Sequence, residues 1–262
     1  MIPISKMWDH IFTPKYQPQG FSKCKLSFAR IKGDILQVFS LKQRQNPLAY
    51  TIDFGIFPLC ASLPVFLDCG GYDMRAFRVE LLANGSGWVF DSKSNESKKQ
   101  CLETISQTID SYLIPLFDRC SDCKTTLFEL IKLEELFDLN RQEALYYLGD
   151  SDCAIPQNER SVFDSRKYFM ALKAHDYSYA HSFLQRMVNY YDVKVKCFHS
   201  ENSPQQPATV IAKFASKLSL YTEHLERLAS GDIDFFDEVL RKNETNMLQF
   251  LSDEYPQVCA SI

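Results

Sequence analysis

The segment Ala49–Leu59, AYTIDFGIFPL, constrains the fold more than any other stretch. Tyr50, Ile52, Phe54 and Ile56 alternate with Thr51, Asp53, Gly55 and Phe57, and a period of two belongs to a β-strand with one buried face. One strand cannot bury that face alone; it needs paired neighbours and a covering layer. The neighbours are present. Lys25–Ile31 (KLSFARI) and Ile35–Gln43 (ILQVFSLKQ) flank a Gly33-Asp34 turn signal, and Asn46-Pro47 marks the next turn. Met74–Leu82 (MRAFRVELL) alternates again, with Phe77, Val79 and Leu81 opposite Arg78 and Glu80. Asn84-Gly85 turns it into a short fifth strand, GWVFD. Short turns between consecutive strands predict an antiparallel meander.

The other face of the 49–59 strand carries a hydroxyl, a carboxylate and a glycine. In a sheet covered by a helix on one side, the second face is free. Asp53 would then pair across strands with Arg30 or Arg78, a contribution of roughly 0.2–1 kcal/mol. The functional reading is a polar, arginine-bearing face that binds another protein, with Trp88 counted among the contact residues.

Helices surround this core. Trp8, Ile11 and Phe12 predict a short helix interrupted near Pro14. Leu102, Ile105, Ile109, Tyr112, Leu113 and Leu116 follow the i, i+3, i+4 rule of one apolar stripe, with Asn95 or Ser97 as cap and Pro115 as a kink or end. Thr126 and Glu129 have capping-box spacing before LFELIKLEELF, whose apolar residues lie on more than one face and predict burial on several sides. After Arg141 only helical patterns occur. Asp176 is placed as an N-cap between two of them, Val210–Ala229 forms a long amphipathic helix, and Gly231 follows its end. The expected class is α+β: an antiparallel sheet of about five strands packed on a helix over residues 1–119, then an all-helical region over 120–262 packed on it.

Charge narrows the partners. Residues 1–137 hold 16 Lys+Arg against 15 Asp+Glu, and residues 138–262 hold 13 against 18, for a net charge of -4. No basic stripe of the kind used on phosphate backbones is visible, so nucleic acid is not expected. An acidic second half attracts a basic partner. No charged region leads into a long apolar run at the N-terminus, and no apolar segment approaches the ~18–20 residues that span a bilayer. The expectation is a soluble, cytoplasmic protein with no membrane partner. Nine cysteines is an odd count, and scattered reduced thiols that act as small buried hydrophobes account for it more simply than a disulfide framework.

The chemical motifs are sparse. Cys120-Ser-Asp-Cys123 is a CxxC, but it lies between two helices and lacks the second ligand pair a zinc site needs; a helix–helix turn explains it. His175 and His181 are six residues apart and share no helical face. Gly70-Gly71 and Gly85-Ser-Gly87 match neither a Walker loop nor a dinucleotide fingerprint. No catalytic, cofactor-binding or metal-ligating set is predicted, and no cofactor. The acidic stretch GDIDFFDEV places Asp232, Asp234, Asp237 and Glu238 near a helix start, where the macrodipole alone favours them by ~0.3–1 kcal/mol each. The sharper reading is a patch aimed at a basic protein.

GFSKCKLSFARIKGDILQVFSLKQ, YTIDFGIF, RVELL with GWVF, and a helix ending YLIPLF together resemble an uncharacterised bacterial group, domain of unknown function 4304. Gly20-Phe21, Phe28, Arg30, Leu41-Lys42-Gln43, Asp53-Phe54-Gly55-Ile56, Arg78, Trp88 and Pro115-Leu116-Phe117 stand in that group's motif places. Asp53 replaces the usual Asn, and Gln43 follows Lys42 instead of preceding it. The resemblance covers the first half of the chain and implies an α+β fold and no activity. By analogy with other small domains of this kind, it implies an immunity-type protein that binds a toxin. The leading expectation is a non-enzymatic protein-interaction protein. The alternative is an enzyme with a site in the cleft between the α+β and helical halves.

Overall fold

The computed structural model describes residues 2–43, 50–61, 77–78, 94–133, 165–198 and 207–260. The chain forms two compact units, residues 1–130 with 243–262, and residues 131–242. The last twenty residues, expected in the helical region over 120–262, therefore belong with the sheet.

In the first unit, helix α1 (Ile4–Tyr16) leads through a 3₁₀ turn into five antiparallel strands: β1 (Ser22–Cys24), β2 (Ser27–Lys32), β3 (Ile35–Gln43), β4 (Tyr50–Pro58) and β5 (Phe77–Arg78). They lie in sequence order, the expected α+β meander. α1 does not stop near Pro14 but runs on to Tyr16. There Pro14 costs only one bond near the helix end. β1 was not expected: it is three residues long, and Lys25 turns it into β2 with a φ of 54°. The expected GWVFD strand lies outside the described residues, as do Gly70-Gly71 and Gly85–Gly87.

One sheet face is aromatic. Phe28 of β2, Phe39 of β3 and Phe54 of β4 share a face by register. Trp8, Phe12 and Tyr16 of α1 pack on Phe28, Phe39 or both, and Phe21 joins them. Helix α2 (Asn95–Thr108) contacts α1 and is capped by Ser94, whose hydroxyl accepts from the Ser97 amide at 3.0 Å. Neither Asn95 nor Ser97 is the cap. A π turn (Ile109–Leu113) then joins α2 to α3 (Ile114–Arg119). The wide turn ahead of Pro115 lets the helical path continue instead of ending. It also shifts the phase of the stripe: Leu113 and Leu116 stay buried while Tyr112 is 46 % exposed.

The opposite sheet face is not free. Ala29, Leu36, Val38 and Phe57 are buried together with Met247, Leu251, Tyr255 and Val258. The covering residues come from the second part of helix α8 (Ile233–Glu254), from Tyr255 at the junction and from α9 (Pro256–Cys259). Ser22 Oγ donates to the Gln257 carbonyl at 2.6 Å at the edge of this layer. Gly55 lies on this face opposite Val38, and a β-carbon there would collide with the Phe57 ring, which lies across it. The glycine thus gives Phe57 its seat.

A helix, α4, begins at residue 123 and is described through 133. Its cap is Asp122, whose carboxylate accepts from the Thr125 amide at 2.8 Å, so the helix starts a turn before the expected Thr126 box. Leu127, Leu130 and Leu133 are buried, but Phe128 is 59 % exposed, so the described part is amphipathic and not buried on several sides.

The described residues of the second unit are helical, with α5 (Ser165–Lys173), α6 (Tyr177–Phe198), α7 (Ala208–Ala229) and the start of α8. Asp176 caps α6 as expected, accepting from the Tyr179 amide at 3.0 Å. His175 makes the preceding turn with a φ of 56°. Gly231, with a φ of 75°, closes α7, and the Asp232 amide reaches back to the Arg227 carbonyl at 3.0 Å. Phe183, Leu184, Met187, Tyr168 and Tyr221 are among the buried core residues.

Candidate functional site

The residues singled out on the sheet fall on different faces. Arg30 stands opposite Gln37, and Gln37 opposite Ile56. Ile56 is an odd number of positions from Asp53, so Arg30 and Asp53 point to opposite sides of the sheet. The expected Asp53–Arg30 pair is therefore excluded by register. Asp53 stands directly opposite Arg78 and Ser40, and it is only 7 % exposed because the face it occupies is covered. The Arg78 side chain and Trp88 lie outside the described residues.

Arg30 is 8 % exposed and fully engaged. Nε donates to Gln37 Oε1 at 2.7 Å, Nη1 to the Gln19 carbonyl at 3.0 Å and Nη2 to Asp118 at 2.9 Å, while the guanidinium lies over the Phe21 ring. Gln37 passes the chain on, donating to the Phe117 and Cys120 carbonyls at the end of α3. These are the orphan acceptors every helix end leaves. The hydrogen bond from Lys32, assisted by Arg30, holds the Asp118 carboxyl below its usual range. This network ties α3 to the sheet and leaves Arg30 buried away from any partner.

The acidic stretch behaves differently. Asp232 is engaged by Arg227 at 2.8 Å in the turn before α8. Asp234, Asp237 and Glu238 are exposed, whereas Phe236 and Leu240 between and beyond them are buried. The apolar anchors fix the rotation of α8, and the three carboxylates share its outward side.

Cys120 and Cys123 form the turn between α3 and α4, as the helix–helix reading expected. Burial pushes the Cys120 thiol up to about 12. Contact with the Cys60 thiol, followed by burial and the charge of Asp34, holds the Cys123 thiol far above its ordinary value. The spacing of the CxxC concealed the more intimate neighbour: Cys123 Sγ lies 3.8 Å from Cys60 Sγ and 3.1 Å from Asp34 Oδ2. Sequence reasoning missed Cys60 and Asp34 because each lies on a different turn of the meander. Gly33 was the available signal. A β-carbon at Gly33 would strike the Ser121 carbonyl, so the β2–β3 turn lies flush against the CxxC turn.

Among the described residues, no group of three or more His, Cys, Asp or Glu side chains is placed to hold a metal ion. His224 is buried against Tyr168, Nδ1 to Oη 2.9 Å, and burial holds its imidazole below the ordinary value. His175 meets Tyr177 Oη at 2.8 Å, and His10 and His181 are exposed. No described helix is long and apolar enough to cross a membrane. Compared with known protein families, curated proteins and solved structures, the chain matches none of them.

Proposed function

We propose that this chain is a non-enzymatic, cytoplasmic protein-binding protein, and that Asp234, Asp237 and Glu238 at the start of α8 contact a basic partner. The observation that carries the reading is the contrast within one short stretch. Asp232 is neutralised by Arg227, while the next three carboxylates are exposed on a helix whose rotation is fixed by Phe236 and Leu240. Clustered charge of one sign on a rigid element steers a partner of opposite sign. The net charge of -4 runs against phosphate backbones as partners. The resemblance to domain of unknown function 4304 adds, by analogy, a toxin-type protein as the partner class, and the nine cysteines suit a reducing compartment.

Affinity capture with the native chain and with the triple variant Asp234→Lys, Asp237→Lys, Glu238→Lys tests this. The expected result is a basic protein retained by the native chain, released by raised salt and lost from the variant. Retention of the same proteins by both chains, or of none by either, contradicts it. Direct titration of the retained protein against both chains should show an affinity loss of tenfold or more, since three rim charges change sign, at about 0.5–1 kcal/mol each.

A further inference from the structure

We propose that Cys60 and Cys123 are a reversible disulfide-forming pair that closes when the protein meets a peroxide. The two residues are 63 positions apart in the chain, yet their sulfurs lie 3.8 Å apart, at van der Waals contact. Both backbones are held in place. The Leu59 amide donates to the Asp34 carbonyl at 2.8 Å, and Asn243 Nδ2 donates to the Cys60 carbonyl at 3.0 Å. Cys123 opens α4 beside the Asp122 cap. A disulfide needs the sulfurs to close to about 2.05 Å, a movement within reach of side-chain rotation from this starting distance.

Asp34 holds the thiol proton in the resting pair. Oδ2 accepts the Cys123 thiol hydrogen bond at 3.1 Å, while Oδ1 is buried with no hydrogen-bond partner among the described residues. The carboxylate thus keeps Cys123 protonated until an oxidant arrives. Both thiols are buried, and Cys123, at 3 % exposure against 0 % for Cys60, is the one with surface open to a small oxidant. Its proton passes to solvent and its sulfur attacks one oxygen of hydrogen peroxide. The O–O bond breaks, leaving a sulfenic acid and a hydroxide that takes up a proton to become water. The Cys60 sulfur then attacks the Cys123 sulfur, the S–S bond forms, and the sulfenic oxygen leaves as a second water with the Cys60 proton. Two thiols and one peroxide give one disulfide and two waters, and two electrons pass from sulfur to oxygen. A small thiol reverses the step by exchange, two of its molecules becoming one disulfide.

The raised affinity of Cys123 for its proton makes the resting pair unreactive toward mild oxidants, which suits a switch rather than a catalytic dithiol. When closed, the bond would pin the end of β4 to the start of α4 and bracket residues 61–122.

The test uses the full chain. Protein treated with hydrogen peroxide is quenched, denatured without reductant, alkylated, reduced and labelled with a second reagent. The expected result is joint loss of the first label at Cys60 and Cys123, a linked peptide carrying both, and full reversal by dithiothreitol. Cys120→Ser should retain the linked peptide, and Asp34→Asn, which removes a charge that holds the Cys123 proton, should speed its formation by about tenfold or more. A Cys120–Cys123 link, or Cys123 oxidised to sulfinic acid with Cys60 still carrying the first label, would overturn the proposal. Because mapping is done on the native sequence, the result stands even if a cysteine variant fails to fold.

Discussion

The two faces of the sheet are both buried, but they are buried by different parts of the chain. The aromatic face is covered by α1, which immediately precedes the strands. The opposite face is covered by residues from 247 to 259, which arrive some two hundred positions later. Local covering can be read from periodicity, because the partner helix and the strands announce complementary stripes side by side. Distant covering cannot, because the partner stripe lies in another helix-rich stretch. The difference also bears on folding: the first face can form from nearby contacts, whereas the second must wait for closure of most of the chain.

Removing residues 243–262 should produce the largest effect. It takes away Met247, Leu251, Tyr255 and Val258 together. At roughly 1.5–3 kcal/mol per buried side chain, this approaches the ~5–15 kcal/mol that a domain has in total. The expected outcome is an aggregated product with no cooperative thermal transition, checked by sizing and calorimetry. A soluble product melting like the full chain would break the comparison.

Single truncations come next and compare the faces directly. Phe39→Ala on the aromatic face should cost about 3–5 kcal/mol, and Leu251→Ala against the other face about 2–5 kcal/mol. Denaturant unfolding should show both losses with similar slopes. A negligible effect of Leu251→Ala would place that helix end away from the sheet.

Gly55→Ala is a finer probe. The added methyl meets the Phe57 ring, and overpacking of this kind costs about 1–3 kcal/mol. In the double variant with Phe57→Leu, part of the loss should be recovered, as expected if the ring over the glycine is the cause.

Much of this architecture was legible. The meander order, the Asp176 cap, the Gly231 stop and the CxxC turn follow from spacing and turn chemistry alone. The covered second face was also signalled, though less plainly. In ILQVFSL the residues between the inward Ile35, Gln37 and Phe39 are Leu36 and Val38. Apolar residues at successive positions mark a strand buried on both sides. Thr51, Asp53 and Gly55 on the neighbouring strand carry the opposite, polar signal for the same face. Glycine was there to admit Phe57, and Asp53 stands in register with Arg78. Spacing does not announce the Cys60–Cys123–Asp34 cluster, because three separate turns build it, and Gly33 marks only the close approach of two of them. The exposure of Asp234, Asp237 and Glu238 could be expected from composition, but the pairing of Asp232 with Arg227 needed the Gly231 turn.

The smallest effect serves as a control in the second unit. Burial holds His224 below its ordinary 6.5, so the unfolded chain binds the proton more readily. This contribution is fully present above pH 6.5 and is lost as pH falls below it toward the depressed folded value. The melting temperature should decline between pH 7.5 and 5.5, and His224→Gln should flatten that slope. Hydrogen exchange in β2 and β3 should show no His224-dependent change over the same range.

The C-terminal residues close the second sheet face. Methyl-to-methyl nuclear Overhauser contacts in the full chain report on that closure. Cross-peaks linking Leu251 and Val258 to Leu36 and Val38, with slow amide exchange along β3, are expected. Contacts of Leu251 and Val258 confined to α8 and α9, with rapid exchange along β3, would mean that another part of the chain covers this face.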